Sequence, residues 1–279
     1  MELLEKRKIL EETCDKHGCQ LWEFPYPNRD TGQTEISRFC PECTSEAIAL
    51  TQEEMLKTAR NATEYVKTYD VLMRDSTVPK ELIGASFDNF IADTTEEKQL
   101  LEFAKGQSIK YINGMTGNTL ITGQTGIGKS HLTFAMAKSI NEYFKEIGKP
   151  KSVLFVNLTE IIKEIKQGWN YGRMAKLTEH EAVKMMTRVD FLFIDDLGAK
   201  NTDIKPKSDW EQDFLFDILN NRETTIINTN LNSQEIKTVY NARNASRIFK
   251  GLEGNSFKAF SISDKRYTIN KFKQGETTP

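Results

Sequence analysis

The chain has 279 residues, with 38 Lys and Arg against 40 Asp and Glu, for a formal net charge of −2. That balance excludes a polycation, so any nucleic-acid contact must be a local patch. At 38% hydrophobic and 28% charged residues, the composition excludes disorder or a fibre for most of the chain and fits one large or two unequal domains. No run approaches the ~18–20 apolar residues of a membrane span, and the opening MELLEKRKILEE alternates charge in a helical way without a secretory pattern. The expectation is a cytoplasmic protein with no membrane contact.

In chain order, residues 1–12 are expected to be helical. Residues 13–45 are dense in Cys, Pro, Gly and aromatics, with little periodicity, and need a staple to hold a fold. All four cysteines lie here, and thiols in a reducing compartment are more often free or metal-bound than bridged. Cys14, His17, Cys19, Cys40 and Cys43 form C-x2-H-x-C…C-P-x-C. The C-x2-C half lets two thiolates face one tetrahedral ion, so a structural Zn²⁺ is expected, with five candidates for four places.

From Ser45 to about Arg74 runs a polar stretch of helix formers, read as one long exposed helix or two shorter ones. Pro79 and Gly84 mark a linker. The expected organisation is a small zinc-binding, helical domain over 1–75, a linker over 76–86 and an α/β domain over 87–279. In that last domain β-branched runs alternate with helical stretches, which points to a parallel sheet flanked by helices. The strand candidates are Thr119–Thr122, Ser152–Val156, Val189–Ile194, Thr224–Thr229 and Lys258–Ile262.

The strongest signal is GQTGIGKS, which follows the apolar run TLIT and precedes a helical run. That context turns a G-x-x-x-x-G-K-S match into a phosphate-binding loop, with backbone N–H groups and a helix N-terminus facing the same anion. Gly123, Gln124, Thr125, Gly126, Ile127 and Gly128 would cradle the phosphates of ATP, Lys129 would reach the β- and γ-phosphates, Ser130 would hold Mg²⁺, and His131 follows at the helix start. A second metal ligand is needed from a neighbouring strand. VDFLFIDDLG supplies Asp195 for it, with Asp196 next as the base that polarises an attacking water. The strand TTIINTNLN ends in amides suited to orienting that water, with Asn230 preferred and Asn228 and Thr229 as alternatives. Arg247, on an expected helix in NARNASRIFKG, is a candidate for reaching a neighbouring subunit's γ-phosphate.

After the second strand of this domain, an insertion places Trp169, Tyr171, Arg173 and Lys176 close together. Interleaved aromatics and cations suit single-stranded DNA, with rings stacking on bases and cations following phosphates.

With ASFDNF (Ala85–Phe90), GQTGIGKSHL, FLFIDDLG, TIINTNLN and SRIF (Ser246–Phe249) in that order, the chain resembles AAA+ replicative helicase loaders of the DnaC/DnaI type, phage-encoded ones especially, and less closely the IstB-type transposition helper ATPases. The likeness spans roughly residues 85–266. It implies an AAA+ fold in which Lys129 and Ser130 belong to Walker A, Asp195 and Asp196 to Walker B, Asn230 is sensor 1 and Arg247 the arginine finger. The chain departs from the family's closing turn, with SISDKRYTI keeping only Arg266 for sensor 2. Phage loaders have a similar N-terminal segment, which favours Cys14, His17, Cys40 and Cys43 as the zinc ligands over the set with Cys19 in place of His17. The resemblance further implies ATP and Mg²⁺ as cofactors and residues 1–75 gripping a DnaB-family helicase. Single-stranded DNA as ligand and ATP-dependent self-association complete the expectation, with a transposition helper as the alternative. A metabolite kinase would need a lid and a substrate pocket, for which no residues stand out, and an ATP-binding adaptor without turnover is the remaining reading.

Overall fold

The computed structural model describes residues 7–27, 32–169, 171, 176–198, 204–262 and 264–265. The chain divides into two compact units, Met1–Thr63 and Glu64–Pro279.

In the first unit, strands β1 (Lys8–Thr13), β2 (Gln20–Pro27) and β3 (Thr34–Phe39) form an antiparallel sheet in that order, and helix α1 (Pro41–Lys67) begins directly after it. The expected helix over residues 1–12 is therefore corrected: Lys8–Thr13 is a strand, and residues 1–6 lie outside the described residues. KILEET has good helix formers, but pairing with β2 overrides that weak preference, with Lys8 opposite Glu23 and Ile9 opposite Trp22. The polar stretch from Ser45 to about Arg74 holds a long helix, α1, followed by a short one, α2 (Val71–Asp75), and α1 starts earlier than expected, at Pro41, so that Cys43 sits in its first turn. Pro at the start of a helix gives up no hydrogen bond, because that N–H has no helical partner.

In the second unit, β4 (Thr119–Gly123), β5 (Val153–Asn157), β6 (Phe191–Asp195), β7 (Thr225–Thr229) and β8 (Ser256–Ala259) form one parallel sheet in the order β5-β6-β7-β4-β8. β8 lies slightly earlier than the Lys258–Ile262 segment expected for it. Helices α3 (Thr95–Ile112) and α4 (Lys129–Glu146) pack over one face. α5 (Leu158–Gly168), α6 (Glu179–Arg188), α7 (Asp209–Asn220), α8 (Ser233–Val239) and α9 (Ala242–Ile248) line the other. Burial on both faces explains why the strands read as continuous apolar runs. Alternate residues enter opposite cores: Ile121, Phe155, Phe193 and Ile226 on the α4 side, Leu120, Leu154, Ile194 and Ile227 on the other.

Within the stretch 76–86, expected as a linker, Ser76 and Thr77 bond to the edge strand β5. Ser76 Oγ accepts from Phe155 N–H (2.9 Å), Thr77 N–H donates to Phe155 C=O (3.0 Å), and Thr77 Oγ1 accepts from Asn157 N–H (2.6 Å). These bonds satisfy β5 groups that an open sheet edge would leave bare. The short helix α2 (Val71–Asp75) buries Val71 and Leu72 just before it. Among the described residues no helix is long and apolar enough to cross a membrane.

Candidate functional site

Parallel strands all end on one side of their sheet, and loops leaving those ends form the customary ligand crevice. Here the loop after β4 (residues 123–128), the end of β6 (Asp195, Asp196) and the end of β7 (Asn230) converge.

Lys129 is 5% exposed, and its ammonium donates to the carbonyls of Gly123 (2.9 Å) and Gln124 (2.7 Å) and to Asn230 Oδ1 (2.6 Å). Ser130 Oγ donates to Asp195 Oδ1 at 2.8 Å. The sequence separates these partners by 101 and 65 positions. The fold unites them because β4, β6 and β7 end level with one another.

Asp195 is 3% exposed, and its carboxyl is pushed up to about 6. Burial is the main cause and the neighbouring Asp196 charge adds to it, against hydrogen bonds from Asn228 and Ser130 and the Lys129 charge. Asp196 has φ 54°, the one positive φ at a non-glycine position among the described residues. Its N–H donates to Asn228 Oδ1 (2.9 Å), so this left-handed turn is pinned from below.

The loop glycines are needed for space as well as conformation. At Gly128 (φ 91°) a Cβ would stand 2.5 Å from the Phe90 ring, and at Gly126 (φ 81°) it would collide with the Asp264 carboxylate. Both neighbours come from segments outside the motif. His131 Nε2 lies 2.8 Å from Ser86 C=O and its ring packs edge-on to Phe90, so ASFDNF braces the start of α4. Lys265 N–H donates to Gly126 C=O (3.1 Å), while its ammonium pairs with buried Glu97 at 3.0 Å and lies over Phe90. Sequence reading singled out ASFDNF as a likeness without a role, and nothing in the sequence pointed to Glu97, Asp264 or Lys265.

Arg247 lies on α9, half-buried, and among the described residues its guanidinium joins none of these bonds. Trp169 packs edge-on against Trp210 (5.1 Å between ring centres), which in turn stacks on Phe214. Tyr171 is 68% exposed and, with Lys176 and Lys163, lines an open cavity of about 500 Å³ on the flank of α5. Arg173 and Arg266 lie outside the described residues.

In the first unit, Cys14, His17, Cys40 and Cys43 bring their ligand atoms within 4.8 Å of one another, and Cys40 is buried. The separations are 3.8 Å for Cys14–Cys43 Sγ and 3.3, 3.5 and 3.8 Å from His17 Nδ1 to Cys43, Cys40 and Cys14. Tetrahedral Zn²⁺ with bonds of about 2.0–2.3 Å needs ligand atoms about 3.5–3.8 Å apart, so the donor set fits that ion. Cys19 stays outside the four, with its Sγ 3.3 Å from Cys40 Sγ. His17 Nε2 contacts Glu46 Oε1 at 3.1 Å, the carboxylate backing that fixes a metal-binding imidazole. The oxygen pair Ser130 Oγ and Asp195 Oδ1 likewise fits Mg²⁺, a hard cation that takes few protein ligands.

A family model described as IstB-like ATP binding protein matches residues 45–248, more than half of the chain. The chain belongs to this family. As an IstB-like ATP-binding protein it has the AAA+ P-loop fold, with the GQTGIGKS loop as its nucleotide motif. No curated protein matches. Among solved structures it is similar to DnaI (19% identity over 68% of this chain and 95% of that one, TM-score 0.49). It is also similar to the DnaC helicase loader (19%, 66% and 100%, 0.48) and to AMPPCP-bound DnaA from Aquifex aeolicus (21%, 72% and 57%, 0.49).

Proposed function

We propose that the chain is an ATPase that loads a DnaB-family helicase onto single-stranded DNA. The observation that carries this reading is the presence, on one chain, of the Cys14/His17/Cys40/Cys43 cluster and the phosphate-loop site. The ordered motif set from ASFDNF to SRIF resembles such loaders, and a zinc module ahead of the ATPase belongs to that resemblance.

In this reading Lys129 and the loop amides hold the β- and γ-phosphates, and Ser130 and Asp195 provide the Mg²⁺ site. When bound, the metal neutralises charge that develops on the transferring phosphoryl group. Asp196 accepts the proton of the attacking water, and Asn230, already bonded to Lys129, orients that water. Arg247 is left to serve a neighbouring subunit, which would link turnover to assembly. Trp169, Tyr171, Arg173 and Lys176 carry single-stranded DNA, and Trp169 is also packed edge-on against Trp210. Cys14, His17, Cys40 and Cys43 would hold Zn²⁺ with four protein ligands, and such an ion would serve structure and not catalysis.

The family match favours a second reading, an IstB-like transposition helper, which has no need of the zinc module. Native mass spectrometry of the protein with a DnaB-family helicase, in ATP and then ADP, separates the two. The loader reading expects a complex whose stoichiometry depends on the nucleotide. Absence of any complex in both states sinks it and moves the test to transposon-end DNA.

A further inference from the structure

Asn228 was only an alternative to Asn230 as the water-orienting amide, yet it occupies a different place. It lies on β7 between Ile227 and Thr229, is 0% exposed, and pairs across the ladder with Ile121 of β4. A fully buried amide in the middle of an apolar sheet must satisfy its hydrogen-bonding groups internally.

Its groups are used as follows. Nδ2 donates to Asp195 Oδ1 (2.5 Å) and to Thr133 Oγ1 (3.0 Å), and Oδ1 accepts from Asp196 N–H (2.9 Å). Its own backbone C=O accepts from Leu197 N–H (3.0 Å). Three consecutive residues at the end of β6 therefore hang from one residue of β7. Thr133 Oγ1 donates in turn to Lys129 C=O (3.0 Å), and Ser130 Oγ reaches the same Asp195 oxygen that Asn228 does. The result is a closed ring that joins α4, β6 and β7 beneath the phosphate loop.

The chemistry of the ring requires an amide. The Asp196 N–H can only donate, while the Asp195 carboxylate and Thr133 Oγ1, whose own hydrogen goes to Lys129 C=O, both accept. The residue among them must offer one acceptor and two donor hydrogens without bringing charge, which an amide does and a hydroxyl does not. Leucine would strand the Asp196 N–H in an apolar sheet, and aspartate would set a second anion against Asp195. Both Asp195 bonds fall on Oδ1, and among the described residues no side chain donates to Oδ2. Asn228 thus fixes the rotation of the carboxylate and, one residue on, the left-handed backbone from which Asp196 projects.

We infer that Asn228 is the positioning residue of the two acidic groups: it sets Asp195 for the metal and Asp196 for the attacking water, and touches neither ligand itself. This rests on the ATPase reading of the site. Groups that orient a metal ligand from behind commonly govern metal affinity and turnover far more than the binding of the rest of the substrate.

The test uses the full-length protein and the variants Asn228→Leu and Asn228→Thr. Threonine suits the strand and keeps one hydroxyl, whose single O–H cannot replace both amide hydrogens, so it guards against a leucine variant that fails to fold. For each, thermal melting, affinity for AMPPNP without metal, half-saturating Mg²⁺ for the AMPPNP complex, and kcat and KM for ATP are measured. The inference expects metal-free AMPPNP affinity within about twofold of wild type, half-saturating Mg²⁺ raised about 10-fold or more, and kcat lowered about 10- to 100-fold with KM little changed. A folded variant with unchanged metal dependence and kcat overturns it. So does loss of metal-free AMPPNP affinity in step with kcat, which marks a merely structural amide. If the wild type binds AMPPNP but hydrolyses no ATP, the ATPase reading fails while the Mg²⁺ titration still decides the role of Asn228.

Discussion

The Lys129 ammonium and Asn230 Oδ1 are 2.6 Å apart although 101 residues separate them in the chain, so the cation of the phosphate loop and the amide at the end of β7 share one pocket. In the proposed nucleotide site both groups would face the γ-phosphate. Lys129→Ala removes a charge that acts on bound phosphate, and nucleotide affinity should fall at least ~10-fold, with hydrolysis lost. Asn230→Ala should spare affinity and lower kcat by about 10²-fold. Calorimetric titration with an ATP analogue and a phosphate-release assay check the pair, and equal losses of affinity in both variants would contradict the division of labour.

Asp195 carries a buried charge beside a second carboxylate. Replacing it with Asn relieves burial and repulsion while keeping the shape, so Asp195→Asn should melt higher than wild type in EDTA, by about 1–2 kcal/mol of unfolding free energy. The same variant should hydrolyse no ATP. A lower melting point in EDTA would show that the hydrogen bonds from Ser130 and Asn228 outweigh the cost of burying the charge.

Glu97 ties the start of α3 to the strap at Lys265. Burial pushes its carboxyl up, but the N–H groups of Thr94 and Asp93 and the Lys265 charge together hold it below its ordinary value. A carboxyl depressed by folding binds its proton more weakly in the native state, so its stabilisation is complete above its unfolded pKa of about 4.3 and drains away as pH falls below that. Glu97→Gln should therefore cost about 1–3 kcal/mol at pH 7 and less at pH 3.5. Urea titrations at both values test it, and a cost independent of pH would assign the effect to packing.

The ligand set of the N-terminal unit makes a stoichiometric prediction. Wild type and Cys19→Ser should each carry close to one zinc per chain, whereas Cys40→Ser and His17→Ala should carry far less, because Cys19 lies outside the four convergent atoms. Chelation should unfold the first unit and leave nucleotide binding intact. Zinc analysis of the purified variants decides between His17 and Cys19.

On the flank of α5, Tyr171 and Trp169 should behave differently. Tyr171→Ala should weaken single-stranded DNA binding by about 1–3 kcal/mol without changing melting. Trp169→Ala should also lower stability, since its ring packs on Trp210. Lys176→Ala should reduce the salt dependence of binding by about one counterion. Fluorescence anisotropy with oligonucleotides across a salt series reads all three.

Much of this protein could be read from local sequence. The GQTGIGKS loop, the apolar runs that became β4 to β7 and the Cys/His spacing each carry their chemistry within a few consecutive residues, because turns, strand burial and knuckles are short-range constraints. KILEET misled for the complementary reason: its residues suit a helix, and only the partner strand across Glu23 and Trp22 makes it a strand. The tertiary structure alone decided that the ligand atoms of Cys14, His17, Cys40 and Cys43 converge without Cys19, that Phe90 and Asp264 crowd the loop glycines, and that Trp169 packs on Trp210. It alone separated Asn228, on β7, from Asn230, just past the end of that strand. Asn228 is held within the sheet under the carboxylates, whereas the chain leaves the sheet after Thr229 and carries Asn230 beside Lys129. Residue type and spacing determine which chemistry is available to a chain, and the packing of segments distant in sequence decides which atoms meet.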